Sequence, residues 1–212
     1  MSHEITTTEM LLQFVSAQSE YREFMRKPFC RDEWVFATNG HIIVRAPRID
    51  GIADLDSGKL EVLINMFAAN QRSGFVVMPE LPDGEKCPPC LGTGVMYKCP
   101  DCNGTGEFDH GELAYCCGKC DGEGQVSCGD DASKMPCFWC GGGGVARYQP
   151  VRVGLWDYDL RYLKRAMKLP GLKFAPPPRT PDDGKIAPAY FVFDGGEGLL
   201  MPMLAHGEEG PK

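Results

Sequence analysis

The chain has 212 residues, 43% of them hydrophobic and 24% charged, and its net charge of −7 excludes the generally basic surface of a non-specific nucleic-acid binder. No apolar run reaches the roughly 18 residues of a membrane span. The opening MSHEITTTEM has neither the basic nor the apolar region of a secretory signal, so we expect a cytoplasmic protein with no membrane partner.

Residues 1–85 have the pattern of a packed domain. The predicted elements, in chain order, are a helix opening in residues 6–8 and ending before Pro28, strands over residues 34–37 and 41–44, a helix over residues 58–70 with Leu60, Leu63, Ile64 and Phe67 inward, and a strand over residues 75–78. The first two strands flank Asn39-Gly40, a strong signature of a tight hairpin. This stretch is therefore predicted to mix helices with antiparallel strands.

The cysteines are concentrated in one segment. Ten of the 11 lie between Cys87 and Cys140, and only Cys30 stands apart. In a reducing compartment such clustering indicates metal binding rather than a disulfide framework.

The segment contains four CxxCxGxG repeats. They read CPPCLGTG from Cys87, CPDCNGTG from Cys99, CGKCDGEG from Cys117 and CFWCGGGG from Cys137. Two residues between the cysteines let both sulfurs reach one metal ion, and the glycines permit the turns that follow. Two repeats complete one tetrahedral site of four cysteines, so four repeats predict two zinc ions in closed, structural sites.

The repeat pattern separates ligands from other cysteines. Cys116 and Cys117 both precede Cys120, but only Cys117 places the glycines in register. Cys128 has no partner at the required spacing, and Cys30 is expected to be a buried thiol. Few residues of the segment are large and apolar, so we expect it to fold only with metal.

Residues 145–212 return to a globular pattern. Predicted here are a strand over residues 151–155, a helix over residues 157–168, a short strand at Lys173-Phe174, and a hairpin of residues 189–194 and 199–204 around Gly195-Gly196. The fold class is thus α+β with mostly antiparallel pairing. Residues 1–85 and 145–212 form one discontinuous domain, and residues 86–144 form an inserted irregular zinc module.

The four repeats resemble the cysteine-rich domain of DnaJ-type Hsp40 co-chaperones. In that family the first repeat pairs with the fourth and the second with the third. The resemblance implies zinc site 1 at Cys87, Cys90, Cys137 and Cys140, and zinc site 2 at Cys99, Cys102, Cys117 and Cys120. The chain has no His-Pro-Asp signature of a J-domain, so the usual stimulation of Hsp70 is not implied.

The flanking domain resembles the bacterial DNA polymerase III beta sliding clamp. The segment Phe36-Ala37-Thr38-Asn39-Gly40-His41 is similar to its ATDGH hairpin, and residues 158–168 followed by GLLMPM from Gly198 are similar to its last βαβββ unit. The resemblance implies helices that face DNA. One helix then carries a basic stripe, which is either a surface for phosphate contact or an ordinary solvated helix face. It consists of Arg161, Lys164, Arg165 and Lys168. A true clamp has three such domains per chain, so a ring would need several copies.

The leading functional hypothesis is a non-enzymatic zinc protein that uses its double zinc module for protein contacts on a clamp-like scaffold. Tyr97 and the pair Phe138-Trp139 are the expected aromatic anchors. The alternatives are a DNA-replication accessory that contacts duplex DNA, and a chaperone-like or thiol–disulfide exchange protein. No catalytic motif accompanies His41, so a structural role is expected for it and no enzyme activity is predicted.

Overall fold

The computed structural model describes residues 8–16, 22–55, 59–71, 73–110, 113–178 and 186–203. These residues divide into two compact units, one formed by Asp83–Arg147 and the other by the segments before and after it. The helices are α1 (Thr8–Leu12), α2 (Lys59–Asn70) and α3 (Leu160–Ala166). The strands of the flanking unit are β1 (Phe29–Arg31), β2 (Trp34–Thr38), β3 (Ile42–Pro47), β9 (Pro150–Val153), β10 (Trp156–Asp159), β11 (Lys173–Ala175), β12 (Ala189–Phe193) and β13 (Gly196–Leu200). Those of the cysteine-rich unit are β4 (Val95–Lys98), β5 (Glu107–His110), β6 (Leu113–Cys116), β7 (Gln125–Val126) and β8 (Lys134–Pro136).

The flanking unit is built on a six-stranded antiparallel sheet in the order β1-β2-β3-β13-β12-β11. Its side chains alternate between two faces, as the twofold period of a strand requires. Val35, Ala37 and Val44 enter one core, whereas Phe36 and Ile43 enter the other. The sheet is therefore buried on both faces.

Helices cover the two faces of this sheet. Leu11 of α1 and Leu163 of α3 belong to the same core, so these two helices share one face. Phe67 of α2 is fully buried in the second core. The unit is thus three layers thick, with α1 and α3 above the sheet and α2 below it.

The strand order is symmetric about the centre of the sheet. In the first half α1 precedes β1, β2 and β3, and in the second half α3 precedes β11, β12 and β13. The halves meet where β3 pairs antiparallel with β13, with Ile43 opposite Leu199. Each half is therefore one helix followed by a three-stranded antiparallel meander.

These observations confirm the α+β class with antiparallel pairing. The predicted hairpin is present as β2 and β3, and its turn is held by Asn39, whose Oδ1 accepts hydrogen bonds from the backbone N–H groups of His41 and Ile42 at 3.0 and 3.1 Å. The predicted second helix is present as α2, although the side chains of Leu60 and Leu63 lie outside the described residues.

Four predicted elements differ from the structure. The last strand, predicted over residues 199–204, is β13 at Gly196–Leu200, and residues 201–203 are not in a strand. The first helix ends at Leu12, and among the residues described up to Pro28 the next element is a 3-10 turn at Glu23–Met25, whose Met25 carbonyl accepts a hydrogen bond from the backbone N–H of Ser16. The positions 6–7 of its expected cap are outside the described residues. The prediction of a strand over residues 75–78 is wrong, because Val76 makes only an isolated bridge to Phe174.

The third helix begins later than predicted. Residues Trp156–Asp159 pair with Pro150–Val153 as a strand, and α3 starts only at Leu160. The carboxylate of Asp159 accepts a hydrogen bond from the backbone N–H of Arg161 and so caps the helix. The helical spacing of the sequence did not reveal this strand, because Tyr158 and Leu160 fit both patterns.

The cysteine-rich unit has little conventional core. Its strands form a three-stranded sheet in the order β7-β4-β8 and a two-stranded sheet of β5 and β6. Its buried apolar groups consist mainly of the eight repeat cysteines, joined by Met96 and Val145. The unit is thus organised around sulfur. Within the described residues, no helix of either unit is long and apolar enough to cross a bilayer.

Candidate metal centres

Four buried thiols converge in site 1. The Sγ atoms of Cys87 and Cys137 are 3.9 Å apart, and those of Cys90 and Cys140 are 3.8 Å apart. All four lie within 4.8 Å of one another. A zinc ion bound to thiolates at about 2.3 Å requires sulfur–sulfur edges of about 3.8 Å, so the donor set and its spacing fit one tetrahedral zinc ion.

Site 2 has the same geometry. Its sulfur pairs, Cys99 with Cys117 and Cys102 with Cys120, are each 3.8 Å apart. A disulfide would require about 2.05 Å, and all of these thiols are free. The structure thus brings together the two ligand sets implied by the DnaJ resemblance, first repeat with fourth and second with third. Together the two sites fit two zinc ions.

The backbone explains why the repeats pair in this order. In site 1 the N–H of Cys87 donates to the carbonyl of Gly144, and the N–H of Cys137 donates to the carbonyl of Gly94, both at 2.8 Å. Each repeat therefore ties its first cysteine to the last glycine of its partner. Site 2 repeats the exchange, with Cys99 bonded to Gly124 at 2.9 Å and Cys117 bonded to Gly106 at 2.8 Å.

Steric contact between paired repeats also requires glycine at the last position of each repeat. A Cβ added at Gly94 would overlap the carbonyl oxygen of Gly142, and one at Gly144 would overlap that of Gly92. Both positions also have positive φ, 74° and 70°. The two paired repeats approach each other too closely for a side chain at these positions. In site 2 the corresponding clashes are Gly106 with Gly122 and Gly124 with Gly104.

The same glycines donate hydrogen bonds to the sulfurs. The N–H of Gly106 lies 3.2 Å from Sγ of Cys102. Burial disfavours ionisation of Cys102, but backbone donors such as Gly106 outweigh it and lower the pKa of this thiol to about 6. The hydrogen bond with Cys137 lowers the pKa of Cys140 to about 5, whereas burial raises the pKa of Cys120 to about 12. Metal binding must therefore displace the remaining protons, and zinc affinity should fall as pH falls.

The residue after each second cysteine has a left-handed backbone. Its φ is 53° at Leu91, 51° at Asn103, 48° at Asp121 and 61° at Gly141. Asn, Asp and Gly adopt this conformation at little cost, but leucine does not. Leu91 is also 74% exposed, so burial of its side chain does not offset the strain.

The three remaining cysteines lie outside both clusters. Cys116 and Cys128 are exposed. Cys30 is buried in the main core of the flanking unit, and its Sγ lies 3.8 Å from the carbonyl of Ile49. These positions agree with the division into ligands and spare thiols.

The predicted basic stripe is not one exposed surface. Arg161 and Arg165 are only 8% and 5% exposed, while Lys164 is half-buried and Lys168 is exposed. Arg161 makes a two-pronged ion pair with Asp159, with N–O distances of 2.9 and 2.7 Å. The sequence pattern failed here because α3 is buried on several sides, not only on the side of its leucines.

Both arginines also pack against an aromatic ring. The guanidinium carbons of Arg161 and Arg165 lie 5.0 and 5.4 Å from the ring centre of Tyr162. His41 stacks on the same tyrosine at 5.4 Å. Together with Met25 and Met66, His41 also lines an apolar cavity of about 310 Å³. These contacts pack His41 against the Tyr162 ring and the wall of this cavity.

The predicted aromatic anchors are only partly exposed. Trp139 is 38% exposed, while Tyr97 and Phe138 are half-buried. Sequence reasoning missed Arg147, whose guanidinium carbon lies 4.7 Å from the Trp139 ring centre and 5.5 Å from that of Phe138. The sequence offers one sign of this contact, namely that Arg147 lies three residues after the last glycine of the fourth repeat. A single arginine at such a position is too common to predict a contact.

The adjacent pair Cys116 and Cys117 provides a matched test of the ligand set. We expect Cys117→Ser to reduce the zinc content from two ions per chain to one, because site 2 loses a buried sulfur. Cys116→Ser should retain both ions, since its thiol is exposed and outside the cluster. The measurement is zinc per chain by atomic emission. Zinc loss in Cys116→Ser, with both ions kept in Cys117→Ser, would contradict the assignment.

Leu91 and Asn103 occupy equivalent positions and allow a reciprocal exchange. Leu91→Asn should stabilise the zinc-loaded protein by about 1 kcal/mol, because asparagine tolerates the left-handed backbone. Asn103→Leu should destabilise it by a similar amount. Thermal unfolding of the holoproteins measures both changes. Shifts of the same sign in the two variants would show that backbone strain is not the cause.

Comparison of the chain with protein-family models, with curated proteins and with solved structures finds no match. The functional argument therefore rests on the two metal centres and on the surfaces around them.

Proposed function

We propose that this chain is a non-enzymatic zinc protein whose double zinc module contacts a protein partner and is carried on a clamp-like scaffold. The observation that carries the proposal is the closure of both sites. Each cluster offers four buried sulfurs at tetrahedral spacing, which fills the coordination of a zinc ion. A catalytic zinc keeps an open position for water or substrate, so these ions are assigned a structural role.

The surface of the module supports a role in protein contact. Several large apolar side chains are exposed on this small unit, namely Leu91, Val95, Phe108, Leu113, Tyr115 and Trp139. Apolar groups in water are unfavourable unless a partner covers them. The metal sites hold the backbone in place without requiring these side chains for a core.

The resemblance to the DnaJ cysteine-rich domain supports the same conclusion. The nested pairing, first repeat with fourth and second with third, is the arrangement that the resemblance implies. A DnaJ-like module offers its own surface for contact, and its exposed apolar side chains favour binding of a polypeptide.

A sliding-clamp-like role in DNA replication is the second candidate. It is favoured by the symmetric sheet, in which two halves of one helix and three strands meet at β3 and β13. Because Arg161 and Arg165 are buried, two of the four expected phosphate contacts are lost. Lys164 and Lys168 remain to make the other two.

Affinity capture tests the leading proposal. Zinc-loaded protein is used as bait in an extract of its source cells, beside a Leu91→Ser/Trp139→Ser variant of the module. The matched control is Val62→Ser/Val77→Ser, which alters two exposed valines of the flanking unit. We expect captured protein to fall about tenfold with the module variant and to persist with the control. Equal capture by both variants, each retaining two zinc ions, would contradict the proposal.

The second candidate is tested by mass and by DNA retention. It predicts an oligomer in light scattering and duplex binding that weakens steeply with salt. The variant Lys164→Glu/Lys168→Glu should then retain less duplex DNA. A monomeric protein that does not bind DNA at low salt would exclude a clamp-like role.

A further inference from the structure

A two-stranded ribbon projects from site 2. It consists of β5 and β6, and it begins directly after Gly106 and ends directly before Cys117. These two residues are joined by the hydrogen bond from the Cys117 N–H to the Gly106 carbonyl, 2.8 Å. The base of the ribbon is therefore part of the metal site, and zinc binding fixes the position of both strands.

The register gives the ribbon two different faces. Phe108 lies opposite Tyr115, and Leu113 lies opposite His110, so Phe108, Tyr115 and Leu113 share one face. All three are exposed, at 44%, 53% and 62%. The apolar face of the ribbon is thus in water.

The opposite face is acidic. Glu107 and Asp109 lie there, paired with Cys116 and Ala114, and both acidic residues are exposed. The unit Asp83–Arg147 contains ten acidic and five basic side chains. Each zinc tetrathiolate adds two further negative charges. A basic partner is therefore attracted, whereas a second copy of this acidic ribbon is repelled.

The edge of β6 is available for pairing, whereas the edge of β5 is partly occupied, because the N–H and the carbonyl of Glu107 both bond to the hydroxyl of Thr105. Among the described residues, β5 pairs only with β6 and β6 only with β5. Isolated two-stranded ribbons are marginally stable, and their unpaired backbone groups are templates for a further strand. The ribbon offers such an edge beside one apolar and one acidic face.

We propose that this ribbon is a strand-addition site for an extended segment of a partner protein in which lysine or arginine alternates with apolar residues. An added strand places successive side chains on opposite faces. Added at the edge of β6, its apolar residues lie beside Leu113 and Tyr115, and its basic residues lie on the same face as Glu107 and Asp109, within reach of a long side chain. The inference rests on the proposed function, because it names the chemistry of the protein partner of the zinc module.

The test uses full-length, zinc-loaded protein and three fluorescent peptides of about eight residues, the length of an ordinary strand. The first alternates Lys and Val, and the second alternates Glu and Val. The third is the Lys-Val peptide with two central valines replaced by proline, which keeps the charge but removes backbone donors. Fluorescence anisotropy measures binding. We expect the Lys-Val peptide to bind at least about tenfold more tightly than either of the others.

Two variants locate the binding to the ribbon. Leu113→Ser/Tyr115→Ser removes apolar contacts and should weaken binding of the Lys-Val peptide about tenfold, while Val62→Ser/Val77→Ser should not change it. Asp109→Lys alters only the acidic face and should shift preference toward the Glu-Val peptide. If the double serine variant loses zinc, the peptide preference of Asp109→Lys alone decides whether the ribbon is the binding site.

Equal binding of the proline peptide would reduce the interaction to charge alone and overturn the inference, as would a wild-type preference unchanged in Asp109→Lys. Absence of binding by the Lys-Val peptide to wild type would also overturn it. Module-dependent capture in the extract would then leave the proposed function standing, so the two failures are distinguishable.

Discussion

Four sulfurs at the corners of a tetrahedron impose a strict demand on a short chain. A single CxxC turn supplies only two of them, so two turns from distant repeats must meet face to face. In this protein they meet through exchanged hydrogen bonds, such as Cys87 to Gly144 and Cys137 to Gly94. The approach is so close that a Cβ at either glycine would overlap a carbonyl of the partner repeat. The spacing of cysteines and the spacing of glycines are thus two requirements of one geometry.

The energetics of the module follow from this geometry. Apart from its cysteines, the unit buries few apolar side chains, chiefly Met96 and Val145. Structural zinc sites contribute apparent free energies of about 10–16 kcal/mol each, which is far more than the burial of two such side chains provides. Because the metal holds the backbone, apolar groups such as Leu113 and Tyr115 can remain on the surface. The nested pairing of repeats also explains the ribbon, since the chain between the inner pair has to leave site 2 and return to it.

Sequence alone predicted the features that depend on local rules. The ligands follow from spacing, and the turn at Asn39 follows from its side-chain hydrogen bonds to the next backbone groups. Features that depend on tertiary burial were missed. Arg161 and Arg165 have the spacing of an exposed stripe, yet both are buried, because Asp159 neutralises one and Tyr162 packs against both. A helical pattern shows which residues share a side of a helix, but it does not show how many sides are covered. Likewise, residues 75–78 have strand composition, but they make only one isolated bridge to the sheet, between Val76 and Phe174 of β11.

The central claim is that both metal sites are closed by sulfur alone. X-ray absorption spectroscopy at the zinc edge measures it most directly on the fully loaded protein. We predict a single shell of four sulfur atoms at about 2.3 Å around each zinc ion. A nitrogen or oxygen atom at about 2.0–2.1 Å in place of one sulfur would contradict the account, because it would leave an exchangeable position on the metal and reopen the question of catalysis.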